Sequence, residues 1–496
     1  MHAKSSPKGS LMQAHEYREL TAVKMAELVR TGEVSPVEIV QAALDSIAAP
    51  DGAINAWCDV LESHAMERAT ELASQAARGE FCGPLHGVPI GVKDLFLTAG
   101  FRTRKGSLLH ANLVPTETAP AVQRLFAAGA IMVGKNTTPE AGWKGSSTSP
   151  LYGVTRNPWN PEKTAGGSSS GSAAAVAAGH VPITLGSDGG GSMRIPASFC
   201  GIFSMKPTLG RVPTYPLSPS EHLSHAGPMT ATVADYALAL DAVKGPDCRD
   251  PQSIADDGLR YSELLEMPAR PIRCVLAATL FDKAVHAEIA RCIKHAFAEI
   301  ERMPGVEIVN ARVDWKDPIA IFEGLWTARG ALSRGMSPED RARLDPGLAR
   351  MIEAGTHVDL EFHLRNLQDR AKFCREVAES FQSFDILLTP TLPILAFAAE
   401  DDGPPDMDPA PLIPWARWTP FTYPFNITGQ PAASIRCGWT LDGMPVGLQV
   451  IGNRFADLTV LQLCAALELR FNTGTKQRRL LRAPHNAHSI AAERRM

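Results

Sequence analysis

The chain has 496 residues, of which 45% are hydrophobic, so it is long enough to bury a large core and to hold more than one domain. Its formal net charge of −4 gives no reason to expect a nucleic-acid partner, and no apolar run approaches the roughly 18 residues of a membrane span. The opening residues lack the apolar segment of a signal peptide, and the nine cysteines have no CxxC spacing, which is typical of reduced thiols and does not support a metal site. These features predict a cytoplasmic protein without a membrane partner.

The N-terminal quarter reads as a tail followed by helices. Residues 1–14 are polar and rich in glycine and serine, so we expect a disordered tail. Residues 21–30 form a helical pattern that stops at Gly32, and the capping box at residues 35–38, with proline at its first helical position, predicts a helix to about residue 48. Residues 61–77 continue in helical period. We expect these three helices to cover the core.

A short apolar strand is predicted at residues 85–94, and it carries a lysine, Lys93, at its end. A lysine buried among hydroxyls and amides should have a pKa below the usual value of about 10.4, and the neutral amine can then accept a proton. The competing interpretation, a surface lysine at a strand end, is favoured if Lys93 is considered alone. When Lys93 is considered together with Ser168 and Ser192 of the glycine-serine loops described below, it is better interpreted as a base.

The segment from residue 118 to residue 160 contains two tryptophans and precedes the glycine-serine loops described below. Residues 118–128 read as a helix closed by Gly129 and residues 130–135 as a buried strand, a βα alternation typical of parallel strands. A long loop over residues 142–160 follows. Because this loop is next to the glycine-serine loops, we expect Gly142 and Trp143 to line a substrate pocket. For Trp159, a purely structural role is an equal alternative to lining the pocket.

Two glycine-serine loops lie between residues 166 and 213. The first, residues 166–171, precedes an alanine-rich helix at residues 172–178 and so lies at a helix N-terminus. The second, residues 189–192, follows a short strand at residues 182–186 and presents successive backbone N–H groups beside a hydroxyl. Acyl transfer needs such donors around the oxyanion. Ser192 is therefore the candidate nucleophile, and the candidate oxyanion hole consists of the amides of Gly189, Gly190, Gly191 and Ser192.

Other glycine-loop functions fit less well. A loop that only turns, or that holds phosphate, is the alternative for either loop taken alone. The first loop has P-loop glycine spacing, but Ser172 and Ala173 occupy the positions that require lysine and serine or threonine. It also matches the G-x-S-x-G elbow, yet residues 163–166 are not a strand. His86 lacks the partners of a Ser-His-Asp triad.

The runs GGSSSGSAAAVAAG at 166–179, GSDGGGSMRIPA at 186–197 and KPTLGRVP at 206–213 together resemble the signature block of the amidase signature hydrolases. The resemblance extends from about residue 14 to about residue 469. It implies a Ser-Ser-Lys triad of Lys93, Ser168 on a cis peptide bond, and the nucleophile Ser192, with no cofactor. It also implies that Arg194 is a structural brace. Ser204 stands where the family usually has glycine, outside the triad.

The region from 249 to 399 is predominantly helical with brief strands, and nothing in it specifies chemistry. Strands are predicted at 272–277 and 306–310, and helices at 284–301 and 360–381, after a capped helix at 232–243. In the amidase signature family this is the variable region that shapes the leaving-group side. Phe322, Leu325 and Trp326 are therefore pocket candidates, with core packing as the competing interpretation.

The C-terminal part contains a buried strand at 385–393, an exposed acidic loop at 400–411 and an aromatic segment around Trp415. The aromatic segment is either a hydrophobic wall over the site or a dimer contact, and the sequence leaves both open. Residues 432–437 and 446–451 read as a hairpin turned by Asp442-Gly443, followed by a helix at 458–469. The basic residues 475–496 are expected to be a solvated tail.

The resemblance implies one α/β domain over residues 15–474, in which a central mixed, twisted sheet is covered by helices on both faces. Its core is expected at 81–245 and 420–470, with the variable helical region at 249–399. The predicted function is cofactor-independent hydrolysis of a small apolar or aryl amide, anilide or carbamate through an acyl-enzyme on Ser192. The alternative is the glutaminase subunit of a tRNA-dependent amidotransferase, and a non-catalytic phosphate-binding module is a third interpretation. The sequence leaves open whether the protein forms a homodimer.

Overall fold

The computed structural model describes residues 14–49, 54–218 and 220–471. The helices of this part are α1 Ala14–Glu19, α2 Ala22–Thr31, α3 Pro36–Ala48, α4 Glu62–Ala77, α5 Pro120–Ala127, α6 Ser170–Ala177, α7 Arg194–Cys200, α8 Val233–Val243, α9 Ala287–Ile300, α10 Ile319–Thr327, α11 Pro338–Ala342, α12 Pro346–Thr356, α13 Leu360–Ser380, α14 Pro424–Thr428 and α15 Asp457–Phe471. The strands are β1 Trp57–Val60, β2 Pro89–Lys93, β3 Ile131–Asn136, β4 Thr148–Ser149, β5 Gly153–Val154, β6 Arg156–Asn157, β7 Asn160–Thr164, β8 Ile183–Asp188, β9 Phe203–Lys206, β10 His225–Thr230, β11 Ile272–Leu276, β12 Val306–Ile308, β13 Ile386–Pro390, β14 Ala432–Trp439 and β15 Pro445–Gly452.

One mixed sheet of 11 strands organises the fold, in the order β1-β3-β2-β8-β10-β9-β14-β15-β13-β11-β12. Strand β2 pairs in parallel with β3 and β8, and β11 pairs in parallel with β12 and β13. The remaining neighbours in this sheet are antiparallel, including the predicted hairpin of β14 and β15. The parallel pairing brings the end of β2, which carries Lys93, beside the end of β8, which leads into the Ser192 loop.

Helices cover both faces of this sheet because successive strand residues point to opposite sides. In β13, Ile386 and Leu388 contribute to one buried cluster, whereas Leu387 contributes to another. The first cluster also contains residues of α2, α5, α8, α9 and α15. On the other face, α4, α6 and α7 cover the N-terminal half of the sheet, and α10, α12 and α13 cover the C-terminal half. The predicted single α/β fold with a mixed sheet is confirmed.

Local sequence signals explain why several elements begin and end where they do. Ser35 and Glu38 form the predicted capping box of α3, with Pro36 at its first position. Gly32 ends α2 in the left-handed conformation. The strand before the second glycine loop is longer than predicted, because β8 continues through Ser187 and Asp188. This extension fixes both polar side chains by sheet pairing.

Both predicted tails, at 1–14 and 475–496, lie outside the described residues, apart from Ala14, where α1 begins. Within residues 14–49, 54–218 and 220–471, every helix is too short or too polar to cross a bilayer. In the same residues, His, Cys, Asp and Glu side chains form no group of three or more that could hold a metal ion.

Candidate active site

Lys93 lies fully buried at the end of β2, where its amine contacts three serine hydroxyls. The Nζ atom is 2.8 Å from the Oγ of Ser168, 2.9 Å from that of Ser169 and 2.9 Å from that of Ser187. Burial lowers the pKa of Lys93 well below its usual 10.5, while the negative charge of Asp188 acts in the opposite direction. The structure thus favours a neutral amine at this position.

The three hydroxyls differ in what they can exchange with that amine. The Ser169 hydroxyl donates to the carbonyl oxygen of Ser187 at 3.1 Å, so its contact with Lys93 must be one in which it accepts. A neutral amine has two N–H groups and one lone pair. Because Ser169 takes one N–H, the lone pair is left for the proton of Ser168 or Ser187. The amine can therefore accept a proton from Ser168 without rearranging its other contacts.

The first glycine loop holds Ser168 against the amine. The peptide bond between Gly167 and Ser168 is cis, and Ser169 is the residue before α6. Glycine is required at Gly167 because a Cβ atom there would lie 1.9 Å from the carbonyl oxygen of Ser146. Gly142 also lies at this site, since a Cβ atom on it would be 3.1 Å from the Ser168 Oγ.

The second glycine loop carries Ser192, which is 4% exposed. Its carbonyl oxygen accepts the N–H of Ser169 at 3.1 Å, so the two loops are joined through the backbone. Both serine side chains lie within the described residues, and their hydroxyls, those of Ser168 and Ser192, form no hydrogen bond with each other. Catalytic contacts of this kind are often long before substrate binds.

The backbone amides of this loop do not all have the same partner. The N–H groups of Gly189, Gly190 and Ser192 have no acceptor among the described residues, so three of the four predicted oxyanion donors are available. The N–H of Gly191 instead donates to Asp188 Oδ1 at 2.7 Å. This contact occupies the N–H of Gly191, which is one of the four predicted oxyanion donors. The carboxylate sits at the end of β8, three residues earlier, where it folds the loop back on itself.

Arg194 joins this loop to the C-terminal part of the chain. Its guanidinium makes two 3.0 Å hydrogen bonds to Asp188, and it also reaches the Thr422 carbonyl, the Asn426 side chain and the Gln449 side chain at 2.6–2.8 Å. Burial alone would raise the pKa of Asp188, but the charge and hydrogen bonds of Arg194 hold it below the usual 3.8. Arg194 is fully buried and bonded on all sides, which is the geometry of a brace.

An aromatic wall lies directly over the second glycine loop. We use this name for Phe322, Trp326, Trp415 and Tyr423. A Cβ atom on Gly189 would meet the Trp326 ring at 2.8 Å, and one on Gly190 would meet Phe322 at 2.7 Å and Trp415 at 2.9 Å. Trp326 and Trp415 pack edge to face with ring centres 5.4 Å apart. The segment around Trp415 is thus buried inside the chain against the loop, which selects the wall interpretation over the dimer contact for this segment.

Sequence reasoning did not assign Ser169 and Ser187 to the lysine site. Ser187 had a usable signal, because it lies at the end of the strand that leads into the nucleophile loop. Trp143 is buried with its ring against Gly347 at the start of α12, whereas Gly142 lies beside the Ser168 side chain. His86 is bonded on both ring nitrogens, to Cys82 and Leu72, which is a structural arrangement.

A family model for amidases matches residues 38–461 of this chain. Among individual proteins, the chain is 35% identical over 456 residues to an acylamidase of Rhodococcus erythropolis, covering 90% of this chain and 95% of that protein. It is 34% identical over 485 residues to one subunit of the glutamyl-tRNA(Gln) amidotransferase of Moorella thermoacetica, covering 90% of this chain and 96% of that protein.

A solved structure of a bacterial aryl acylamidase of the amidase signature family superposes with a TM-score of 0.85 at 29% identity. The superposition covers 94% of this chain and 99% of that protein. Family match, sequence relatives and fold agree over most of the chain. The protein therefore belongs to the amidase signature family, whose members are hydrolases that act on amide C–N bonds.

Proposed function

We propose that this protein hydrolyses aryl or apolar amides through an acyl-enzyme on Ser192, with Lys93 as the base and Ser168 as the relay. The observation that carries the proposal is the buried Lys93 amine, 2.8 Å from the Ser168 hydroxyl and with a lowered pKa, beside a loop with free amides. A neutral amine in this position can accept a proton at neutral pH.

In the acylation step, Ser192 Oγ attacks the substrate carbonyl as its proton passes to Ser168, and the Ser168 proton passes to Lys93 Nζ. The N–H groups of Gly189, Gly190 and Ser192 donate to the oxyanion of the tetrahedral intermediate. Collapse breaks the C–N bond, and the proton held by Lys93 returns through Ser168 to the leaving amine. A water molecule then gives a proton to the same relay and attacks the acyl carbonyl. The C–O bond to Ser192 breaks, the relay returns the proton to Ser192 Oγ, and the acid is released.

The aromatic wall supports an aryl or apolar substrate. It presents ring surfaces within contact distance of Gly189 and Gly190, where the substrate carbonyl would sit. Flat apolar groups gain from both burial and edge-to-face contact with such rings. The Rhodococcus relative and the structural neighbour are named as an acylamidase and an aryl acylamidase, which agrees with this preference.

The test is amine release by the purified chain from a panel of anilides, aliphatic amides and carbamates. We expect the anilides to be preferred and Ser192→Ala to lower kcat by about 10³-fold or more. Ser170→Ala is the matched control, since its buried hydroxyl in the neighbouring loop has no hydrogen-bond partner and its removal should leave turnover unchanged. Full activity of Ser192→Ala would overturn the proposal.

The glutaminase subunit of a tRNA-dependent amidotransferase is the second candidate, because the Moorella relative carries the name of such an enzyme at similar identity. It predicts that glutamine is hydrolysed and that partner subunits raise the rate. The aromatic wall is a poor complement to the polar side chain of glutamine. Glutamine turnover without anilide turnover on the isolated chain would favour this candidate.

A further inference from the structure

One arginine beside the aromatic wall has no use in the mechanism. Arg329 follows α10, and its guanidinium carbon lies 4.4 Å from the centre of the Trp326 ring. Among the described residues it forms no salt bridge and no hydrogen bond, although its side chain is partly buried. Arginines in such surroundings are normally paired with a carboxylate or with carbonyl oxygens. Arg329 therefore keeps its five N–H donors without a protein acceptor.

No acidic residue in the described part of the chain lies near enough to the Arg329 guanidinium to compensate its charge. Burial lowers its pKa from 12.5 to about 10, and no acidic neighbour acts in the opposite direction. The side chain still carries its positive charge at neutral pH. A partly buried cation without a protein partner is stabilised by a bound anion, because the reduced local dielectric strengthens the attraction.

Two further unpaired donors belong to Trp326, over which Arg329 lies, and to Trp415, which packs against Trp326. The indole N–H groups of Trp326 and Trp415 are buried and have no acceptor in the described protein. A carboxylate offers only acceptors, so it can satisfy a guanidinium and indole N–H groups together. Trp326 contacts both the Gly189 position and Arg329, which places this group of donors one side chain away from the oxyanion loop.

We propose that Arg329, together with the indole N–H groups of Trp326 and Trp415, forms an anion subsite, and that the preferred substrates are aryl or apolar amides that also carry a carboxylate. This rests on the proposed function, because it assigns a substrate group to the same pocket. The apolar surface of Trp326 holds the ring or chain of the substrate, and Arg329 binds the charged end.

The experiment compares charged and neutral members of two substrate pairs. One pair is 4-acetamidobenzoate with 4-acetamidobenzamide, and the other is N-phenylsuccinamate with its terminal carboxamide, so that the carboxylate lies on the amine side or on the acyl side. We expect wild type to prefer the carboxylate member of one pair by about 10- to 100-fold in kcat/KM, the scale of one charge-assisted hydrogen bond. Arg329→Gln should remove that preference by raising KM, with kcat for the neutral member unchanged, and Arg329→Lys should restore part of it.

Arg312→Gln is the control, because it removes the same charge from a side chain that is 84% exposed. Equal use of both members of each pair by wild type would overturn the anion subsite while leaving the proposed function intact. An equal loss for charged and neutral members in a folded Arg329→Gln, checked by its thermal unfolding, would also overturn it. No turnover of any member would defeat both proposals.

Discussion

Lys93 differs from ordinary buried lysines because its partners are hydroxyl groups. Its amine contacts Ser168, Ser169 and Ser187, and it forms no salt bridge with any described residue. The cost of burying a charge is therefore avoided by losing the proton. The protonation state of Lys93 can therefore be measured through the pH dependence of the free energy of unfolding.

The free energy of unfolding should depend on pH through Lys93. Since its pKa is lowered in the folded state and near 10.5 in the unfolded state, the unfolded chain binds more protons between these two values. Wild type should therefore gain stability as pH rises through that window. Lys93→Met should lack this gain, so the difference in stability between variant and wild type should shift in favour of wild type as pH rises. Urea denaturation between about pH 6 and about pH 10 measures it. Parallel curves would contradict a neutral Lys93.

Residue identity at the site was predictable only where local sequence carries the chemistry. Lys93 at a strand end and Ser192 in a glycine loop carry local patterns that a sequence shows directly, whereas Ser168 followed from the resemblance to the amidase signature family. Ser169 at the amine and Arg329 at the wall depend on packing between distant segments. The engagement of the Gly191 amide by Asp188 likewise follows from the folded path of the loop.

The Ser192 loop is held in place by contacts from other segments of the chain rather than by α7, the helix that follows it. Helix α7 follows it directly but spans only Arg194–Cys200, with Pro196 tolerated in its first turn. Helix α7 was not predicted from the sequence. Helices α2 and α3 begin and end within a residue or so of their predicted bounds because they carry caps, and α4 does so because of its periodic apolar face. The loop therefore depends on contacts from the C-terminal segments.

Arg194→Met should be strongly destabilising, because it leaves the Asp188 carboxylate buried without its partner. We expect a loss of about 3–5 kcal/mol in the free energy of unfolding. The double variant Arg194→Met with Asp188→Asn removes the orphaned charge and should recover part of that loss, as a double-mutant cycle in denaturant would show. Strict additivity of the two single changes would mean that the pair is not coupled.

The 11-stranded sheet joins the N-terminal and C-terminal halves of the molecule, and its strand order could not be predicted from the sequence. Strand β9 of the signature region pairs with β14 near the C-terminus, through Ala432 opposite Lys206. Strand patterns and the Asp442-Gly443 turn predicted the hairpin of β14 and β15, and the family resemblance implied the mixed sheet. The strand order depends on long-range pairing, which no local pattern specifies. The site lies where the two halves meet.

Truncating a buried side chain in a central strand of this sheet should lower the stability of the protein. Leu448→Ala in β15 removes a side chain with 0% exposure and should cost about 2–5 kcal/mol, lowering Tm. Leu441→Ala, in the turn of the same hairpin, removes a leucine that is 83% exposed and should change stability by less than about 0.5 kcal/mol. A similar Tm for both variants would contradict the central place of β15 in the core.

The most direct test of a neutral Lys93 acting through Ser168 on Ser192 is the rate at which a fluorophosphonate labels the protein, with the labelled residue identified by mass spectrometry. Wild type should be labelled at Ser192, at a rate that falls as pH drops and Lys93 becomes protonated. Lys93→Arg, whose guanidinium stays charged, should be labelled slowly at every pH. Labelling at another serine, or wild-type rates in Lys93→Arg, would contradict the account.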